Sequence, residues 1–259
     1  MKAILFDLDG VIYEGDRPVG GATEAVAWCR EKRIPHLFLT NTTSRPREAL
    51  VEKLAAMRIP VEKSRLFTPA VAAREWLGRH IDGPVALFVP EAVKMEFADQ
   101  WLLSDQAGEG AAAVVLGDLG EQWNFARLNR AFRLLMAEPP PVLLALGMTR
   151  YWRAPDGLRL DVGAFVAALR FATGIEPVVL GKPALSFFTA ALDRLGTEAS
   201  ETVMIGDDIR GDIEAAQAAG IHAVLVRTGK FRDADLRLGI QPDAVLDSVA
   251  ALPAWFGGD

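Results

Sequence analysis

Two carboxylates two residues apart, Asp7 and Asp9, stand where the apolar run Ile4-Leu5-Phe6 gives way to Gly10. At about 4 Å two like charges repel by roughly 4 kcal/mol at an effective dielectric near 20, so such a pair needs a cation or a shared proton nearby. Alone, the pair reads equally well as a solvated acidic turn. Three further apolar runs end in polar residues. His36 to Leu39 leads into Thr40 and Asn41, Val178 to Leu180 into Gly181 and Lys182, and Thr202 to Ile205 into Asp207, Asp208 and Asp212. Convergence of these ends would gather up to five carboxylates, a lysine, a hydroxyl and an amide. An all-oxygen set of that kind suits Mg²⁺, held by carboxylates, waters and substrate phosphate oxygens. Zinc is disfavoured because His36, His80 and His222 are scattered and Cys29 lies within a helical stretch. A cation, an ammonium, a hydroxyl and loop N–H groups would together spread the charge of a phosphoryl group. One carboxylate of the first pair can then attack phosphorus while the other moves a proton.

The elements that must position these residues follow from patterning. Near-continuous apolar runs are the habit of parallel strands buried on both faces. Residues 4–6 and 36–39 are each followed by a helical stretch, over 22–32 and from Pro46 to 57, with Pro46 suited to a first turn. A further helix is expected over about 69–79. Strand and helix alternation of this kind predicts a doubly wound α/β sheet, whose ligands bind at the C-terminal strand ends. From about residue 80 the alternation continues without polar strand ends. Strands are expected at 85–89, 112–116 and 142–146, helices at 124–136 and 161–173, and a turn-bearing hairpin at 151–157. Trp101, Trp123, Tyr151 and Trp152 read as core or interface of this stretch. The first pattern returns with a strand at 178–180, a helix from 184 to 195 opened by Pro183, and strands at 202–205, 222–226 and 244–246. The domain organisation expected is a core built from 1–79 and 177–259, carrying an inserted α/β unit over 80–176.

Bulk properties exclude several function classes. The 259 residues are 51% hydrophobic and 24% charged, an ordinary globular balance. A formal net charge of -6 without a basic cluster argues against nucleic acid as a partner. No apolar run approaches the length of a membrane span, and Asp7 and Asp9 break the N-terminal run too early for a signal peptide. With Cys29 as the single cysteine, a cytoplasmic location is expected.

Asp7-Leu8-Asp9-Gly10-Val11, Leu39-Thr40-Asn41, Gly181-Lys182-Pro183 and Gly206-Asp207-Asp208 with Asp212 resemble, in order, the four motifs of the haloacid dehalogenase (HAD) phosphatases. The segment between Asp9 and the first helix is too short for a cap. The long insert between the second and third motifs resembles subfamily IIA, the NagD type. Val11-Ile12-Tyr13, Thr42-Thr43 and Gly163-Ala164-Phe165 fit that subgroup. The resemblance implies a Rossmann-like core with a C2-type α/β cap and a Mg-dependent phosphatase of small phosphorylated metabolites, whether phosphomonoesters, pyrophosphate or phosphoramides. It implies that Asp7 is the nucleophile of an aspartyl-phosphate and a metal ligand. Asp9 would protonate the leaving group, activate water and offer its backbone carbonyl to the metal. Thr40 and Asn41 would hold phosphoryl oxygens, Lys182 would neutralise the transferring group, and Asp207 would complete the metal ligands. Asp208 and Asp212 would hold metal-bound water or orient Lys182. A cap-mediated homodimer is consistent with the resemblance.

Two other classes share parts of this pattern. A signalling receiver also uses an aspartyl phosphate, a lysine and an acidic pair, but it is far shorter and has no use for a proton shuttle beside its phosphorylated residue. A non-catalytic phosphometabolite-binding module on the same scaffold would not need every catalytic position filled, as they are here. A P-type pump would need membrane spans.

Overall fold

In a computed structural model, residues 1–154 and 156–257 are described. They divide into two compact units, one of Met1–Thr40, Arg47–Phe67 and Lys182–Asp259, the other of Asn41–Pro46 and Thr68–Gly181.

The first unit is built on a six-stranded parallel sheet. Its order is Ala244–Leu246, His222–Val226, Thr202–Gly206, Ala3–Asp7, His36–Leu39, Leu66–Phe67. Every residue of Ala3–Asp7 and Thr202–Gly206 is buried, as expected for strands covered on both faces. On one face Phe6 stacks on Phe38 with ring centroids 5.5 Å apart, and Val26 and Leu54 from the helices Ala22–Glu31 and Arg47–Ala56 join the same core. Side chains alternate across a strand, so Phe67 points the other way and meets Phe187 of the helix Leu185–Leu195 at 5.1 Å. The chain leaves Ala3–Asp7 toward His36–Leu39 on one side and later returns to build Thr202–Gly206 on the other. That reversal is the switch point where open α/β sheets bind ligands, and Asp7 ends the strand at it.

The second unit has its own parallel sheet, ordered Val178–Val179, Val142–Ala145, Ala113–Leu116, Val85–Phe88. The helices Phe125–Leu135 and Val162–Thr173 cover it, with Leu134, Leu135, Val166 and Leu169 packed among Val114, Leu116 and Leu143. Local chemistry sets the helix ends. Asn124 Oδ1 accepts the Arg127 N–H at 3.0 Å, and Gly174 closes Val162–Thr173 in the left-handed conformation at φ 73°. Tyr151–Ala154 and Gly157–Leu160 pair as an antiparallel hairpin, while Pro155 of the expected turn lies outside the described residues. Among the described residues no helix is long and apolar enough to cross a membrane.

Several expectations are corrected. Val178–Val179 pairs with Val142–Ala145 in the second sheet, not with the first. Lys182 therefore follows, in sequence, a strand of the second sheet and is not the end of a core strand. The helix Pro69–His80 likewise groups with the second unit, which spans more than 80–176. Pro183 and Pro46 precede their helices, which begin at Leu185 and Arg47, so neither sits in a first turn. Trp123 stacks between Phe88 and Phe165, at 6.0 and 4.7 Å, and belongs to the core. Trp101, Tyr151 and Trp152 are exposed.

Candidate active site

The site lies within the first unit, where three buried carboxylates meet one buried ammonium. Register carries Asp7 and Asp207 to the same end of the sheet: Phe6 pairs with Ile205, so both chains leave their strands side by side. Asp7 Oδ1 accepts the Leu8 N–H at 2.8 Å and the Lys182 ammonium at 2.7 Å. Lys182 Nζ also donates to Asp212 Oδ1 at 2.6 Å, and Asp212 Oδ2 accepts the Asp208 N–H at 3.2 Å. One carboxylate oxygen from each of Asp7, Asp207 and Asp212 lies within 4.8 Å of the others. Asp7, Lys182, Asp207 and Asp212 are each no more than 6% exposed.

The electrostatics are unbalanced. Three buried carboxylates face one buried ammonium, with the more exposed Lys230 acting on Asp207 from outside, so acid exceeds base in the cluster. Burial opposes the Lys182 charge, but Asp212 and Asp7 outweigh it and hold the ammonium above its usual pKa. Burial and the neighbouring Asp7 push Asp207 up to about 8. Burial and Asp7, resisted by Lys182, push Asp212 up to about 6. Asp207 Oδ1 is buried without a hydrogen-bond partner among the described residues. An orphaned carboxylate oxygen beside two more carboxylates calls for a cation or a proton, and this hard-oxygen donor set can hold a divalent ion.

Glycines shape the wall around Asp207. Gly10 at φ +86° and Gly229 at φ +63° both adopt conformations that L side chains rarely take, and a Cβ on either would collide with the Asp207 carboxylate. Thr228 Oγ1 donates to Gly10 O at 2.5 Å, Gly229 N–H to Glu14 Oε1 at 2.7 Å, and Lys230 N–H to Asp207 Oδ2 at 2.7 Å. Residues 228–230 thus clamp the first loop to Asp207. Glu14 belongs to a two-stranded hairpin, Tyr13–Glu14 with Arg17–Pro18. Sequence reasoning missed both the clamp and the hairpin. Thr228-Gly229-Lys230 follows the buried strand His222–Val226, and the rule that selected the other strand ends would have found it.

The remaining expected residues take distinct places. Asp9 is exposed, and its loop is held by the Gly10 N–H donating to Tyr13 O at 2.7 Å. Thr40 is buried and stands one residue beyond Leu39, the strand partner of Asp7. Asn41 is exposed and opens the segment that groups with the second unit, where its Oδ1 lies 3.3 Å from the Cβ position of Gly181. Asp208 accepts the Arg210 and Gly211 N–H groups at 3.1 and 2.9 Å and pairs with Lys230 Nζ at 3.2 Å. It therefore caps the helical turn Ile209–Glu214, and these backbone donors, together with Lys230, hold its carboxyl below the usual range against the effect of burial. Lys182 is held by Asp212, not by Asp208.

Comparisons with known proteins show the family. The haloacid dehalogenase-like hydrolase family model matches residues 4–100 and the HAD-hydrolase-like model residues 179–252. The chain is 37% identical over 255 residues to human phospholysine phosphohistidine inorganic pyrophosphate phosphatase, covering 96% of this chain and 92% of that one. Among solved structures it is similar to NagD from E. coli, with TM-score 0.86 and 25% identity over 96% of this chain and 97% of that one. It is also similar to p-nitrophenyl phosphatase from Archaeoglobus fulgidus, with TM-score 0.87 and 28% identity over 98% of each. With relatives matched along nearly its whole length and the acidic cluster at the switch point of the sheet, the chain belongs to the haloacid dehalogenase-like hydrolases, in the NagD-type subfamily IIA.

Proposed function

We propose that this HAD-type phosphatase hydrolyses small phosphorylated metabolites through an aspartyl-phosphate on Asp7, with Mg²⁺ as its cofactor. The observation that carries the reading is Asp7 Oδ1 pinned by Lys182 at 2.7 Å beside the orphaned Oδ1 of Asp207. Asp7, Asp207 and the backbone carbonyl of Asp9 would hold the metal, and Asp212, with a carboxylate oxygen within 4.8 Å of those of Asp7 and Asp207, would support it. When bound, Mg²⁺ supplies neutralisation of the negative charge that gathers on the phosphoryl oxygens.

In the first half-reaction an Asp7 carboxylate oxygen attacks phosphorus. The bond from phosphorus to the leaving group breaks, and the Asp9 carboxylic acid gives the departing atom its proton. In the second, Asp9 takes a proton from water as that water attacks phosphorus, and phosphate leaves with Asp7 restored. The exposure of Asp9 suits a group that must reach a leaving atom outside the buried cluster. Lys182 fixes one Asp7 oxygen and stabilises the charge of the transferring group. Thr40 and Asn41 would donate to phosphoryl oxygens. Asp208 supports the site indirectly, by capping the turn that presents Asp212. The inserted unit is assigned the choice of substrate, and the name of the human relative makes P–N and P–O–P bonds candidates beside phosphomonoesters. Buried Cys29 as the sole thiol fits a reducing cytoplasm.

The test is phosphate release from p-nitrophenyl phosphate by protein stripped with EDTA. Millimolar Mg²⁺ is expected to restore at least a hundredfold of rate. Equal rates with EDTA and with Mg²⁺ would remove the metal from the account.

A further inference from the structure

A pocket of about 730 Å³ opens in the first unit around the start of the His36–Leu39 strand, whose other end leads to Thr40. At roughly 3.3 Å per residue it lies about 13 Å of strand from the catalytic rim. Four arginines line it. Arg30 and Arg33 come from the end of the helix Ala22–Glu31, Arg65 from just before Leu66–Phe67, and Arg194 from the last turn of Leu185–Leu195. Glu62 is the one carboxylate in the lining. In a chain of net charge -6 this is a concentrated positive site.

Backbone carbonyls fix three of the guanidinium groups. Arg30 donates to Pro60 O, Arg65 Nη1 to His36 O at 3.3 Å, and Arg194 Nη2 to Ser64 O at 3.0 Å. Arg30, Arg33 and Arg65 have no ion-pair partner among the described residues. The Arg30 and Arg65 charges are thus held in place without an ion pair, while Arg33 is exposed. Ser64 Oγ donates to Glu62 Oε2 at 3.2 Å, and this one carboxylate stands against four guanidinium groups. His36, 4% exposed, donates from Nδ1 to Ile34 O at 2.7 Å, and its Nε2 has no partner among the described residues. Val61 and Leu195 add an apolar wall.

We propose that this pocket binds a nucleoside di- or triphosphate at a site separate from the Asp7 cluster. Guanidinium forks match phosphate oxygens two at a time, and four of them suit a chain of phosphates better than a single anion. The volume falls in the range of small-molecule sites, and the apolar wall offers the base a surface. None of the residues involved belongs to the proposed catalytic set.

The experiment titrates the full-length protein with β,γ-methylene ATP in EDTA, followed by calorimetry and by the His36 imidazole resonance. Saturable binding is expected, with a shift of His36 while the His80 resonance stays in place. Arg30→Glu with Arg33→Glu should weaken binding at least tenfold and leave p-nitrophenyl phosphate kcat/KM within twofold of wild type. Arg33→Gln alone provides the same comparison, with a smaller loss, if the double variant does not fold. Tripolyphosphate should bind more weakly than the nucleotide. Undiminished affinity in the arginine variants, or an unmoved His36 resonance at saturation, overturns the site. Tripolyphosphate binding as tightly as the nucleotide overturns the nucleoside assignment.

Discussion

Replacing Lys182 with methionine keeps the volume of the side chain and removes the one ammonium that faces Asp7 and Asp212, at 2.7 and 2.6 Å. Three buried carboxylates then stand together without compensation. Breaking a buried ion pair by removing one partner costs about 3–5 kcal/mol. For a chain of this length that corresponds to roughly a 10 °C fall in melting temperature, at about 2–4 °C per kcal/mol. The sign of the pH dependence follows from the acids. Asp212 and Asp207, raised to about 6 and about 8, take up protons as pH falls, so the repulsion is relieved at low pH and greatest at pH 8 and above. Two positive charges from Mg²⁺ should offset part of the loss. The assay is thermal melting of wild type and Lys182→Met at pH 5.5 and 8, each in EDTA and in millimolar Mg²⁺. The variant should melt about 10 °C lower in EDTA at pH 8, with a smaller gap at pH 5.5 and in Mg²⁺. A second change, Asp212→Asn, removes one of the stranded charges and should recover at least about 1 kcal/mol. A loss under about 1 kcal/mol in EDTA at pH 8, or one unchanged by both pH and Mg²⁺, would refute the charge-balance argument.

Two further outcomes follow from the loops around Asp207. Gly229→Ala places a methyl group against the Asp207 carboxylate and Gly10 at a positive φ, so Mg²⁺ activation should need at least tenfold more metal, whereas Gly20→Ala, with open space around it, should titrate as wild type. Asp9→Asn changes an exposed side chain, so its stability should stay within about 0.5 kcal/mol of wild type while turnover falls by about 10²- to 10⁴-fold. Wild-type turnover in that variant would end the proton-transfer role.

Much of the first sheet was readable because its strands are continuous apolar runs that stop abruptly at polar residues. Asp7, Thr40 and Asp207 were found by that stop and by nothing subtler. Sheet membership was not readable. Val178 and Val179 have the same character as Val203 and Met204, and only their pairing with Leu144 and Ala145 assigns them to the second sheet. Apolar content reports burial and carries no label for the neighbour. The hairpin at Tyr13 was invisible for a different reason: two-residue strands are too short to show alternation. Asp208 and Asp212 look equivalent in the sequence, yet a separation of four residues across a helical turn directs one to backbone N–H groups and the other to Lys182. The need for a bare Cα at Gly229 was not readable, because it arises from Gly10, more than two hundred residues away in sequence, and from Asp207, twenty-two residues away.

The central claim is that Asp7 itself carries the phosphoryl group, and quenched turnover tests it most directly. Protein mixed with substrate and Mg²⁺ is stopped in acid, reduced with borohydride, digested and read by mass spectrometry. The account predicts reduction of the acyl-phosphate at Asp7, absent without Mg²⁺ and absent in Asp7→Asn, which should also release no phosphate above background. Modification at another residue, or full phosphate release by Asp7→Asn, would contradict it.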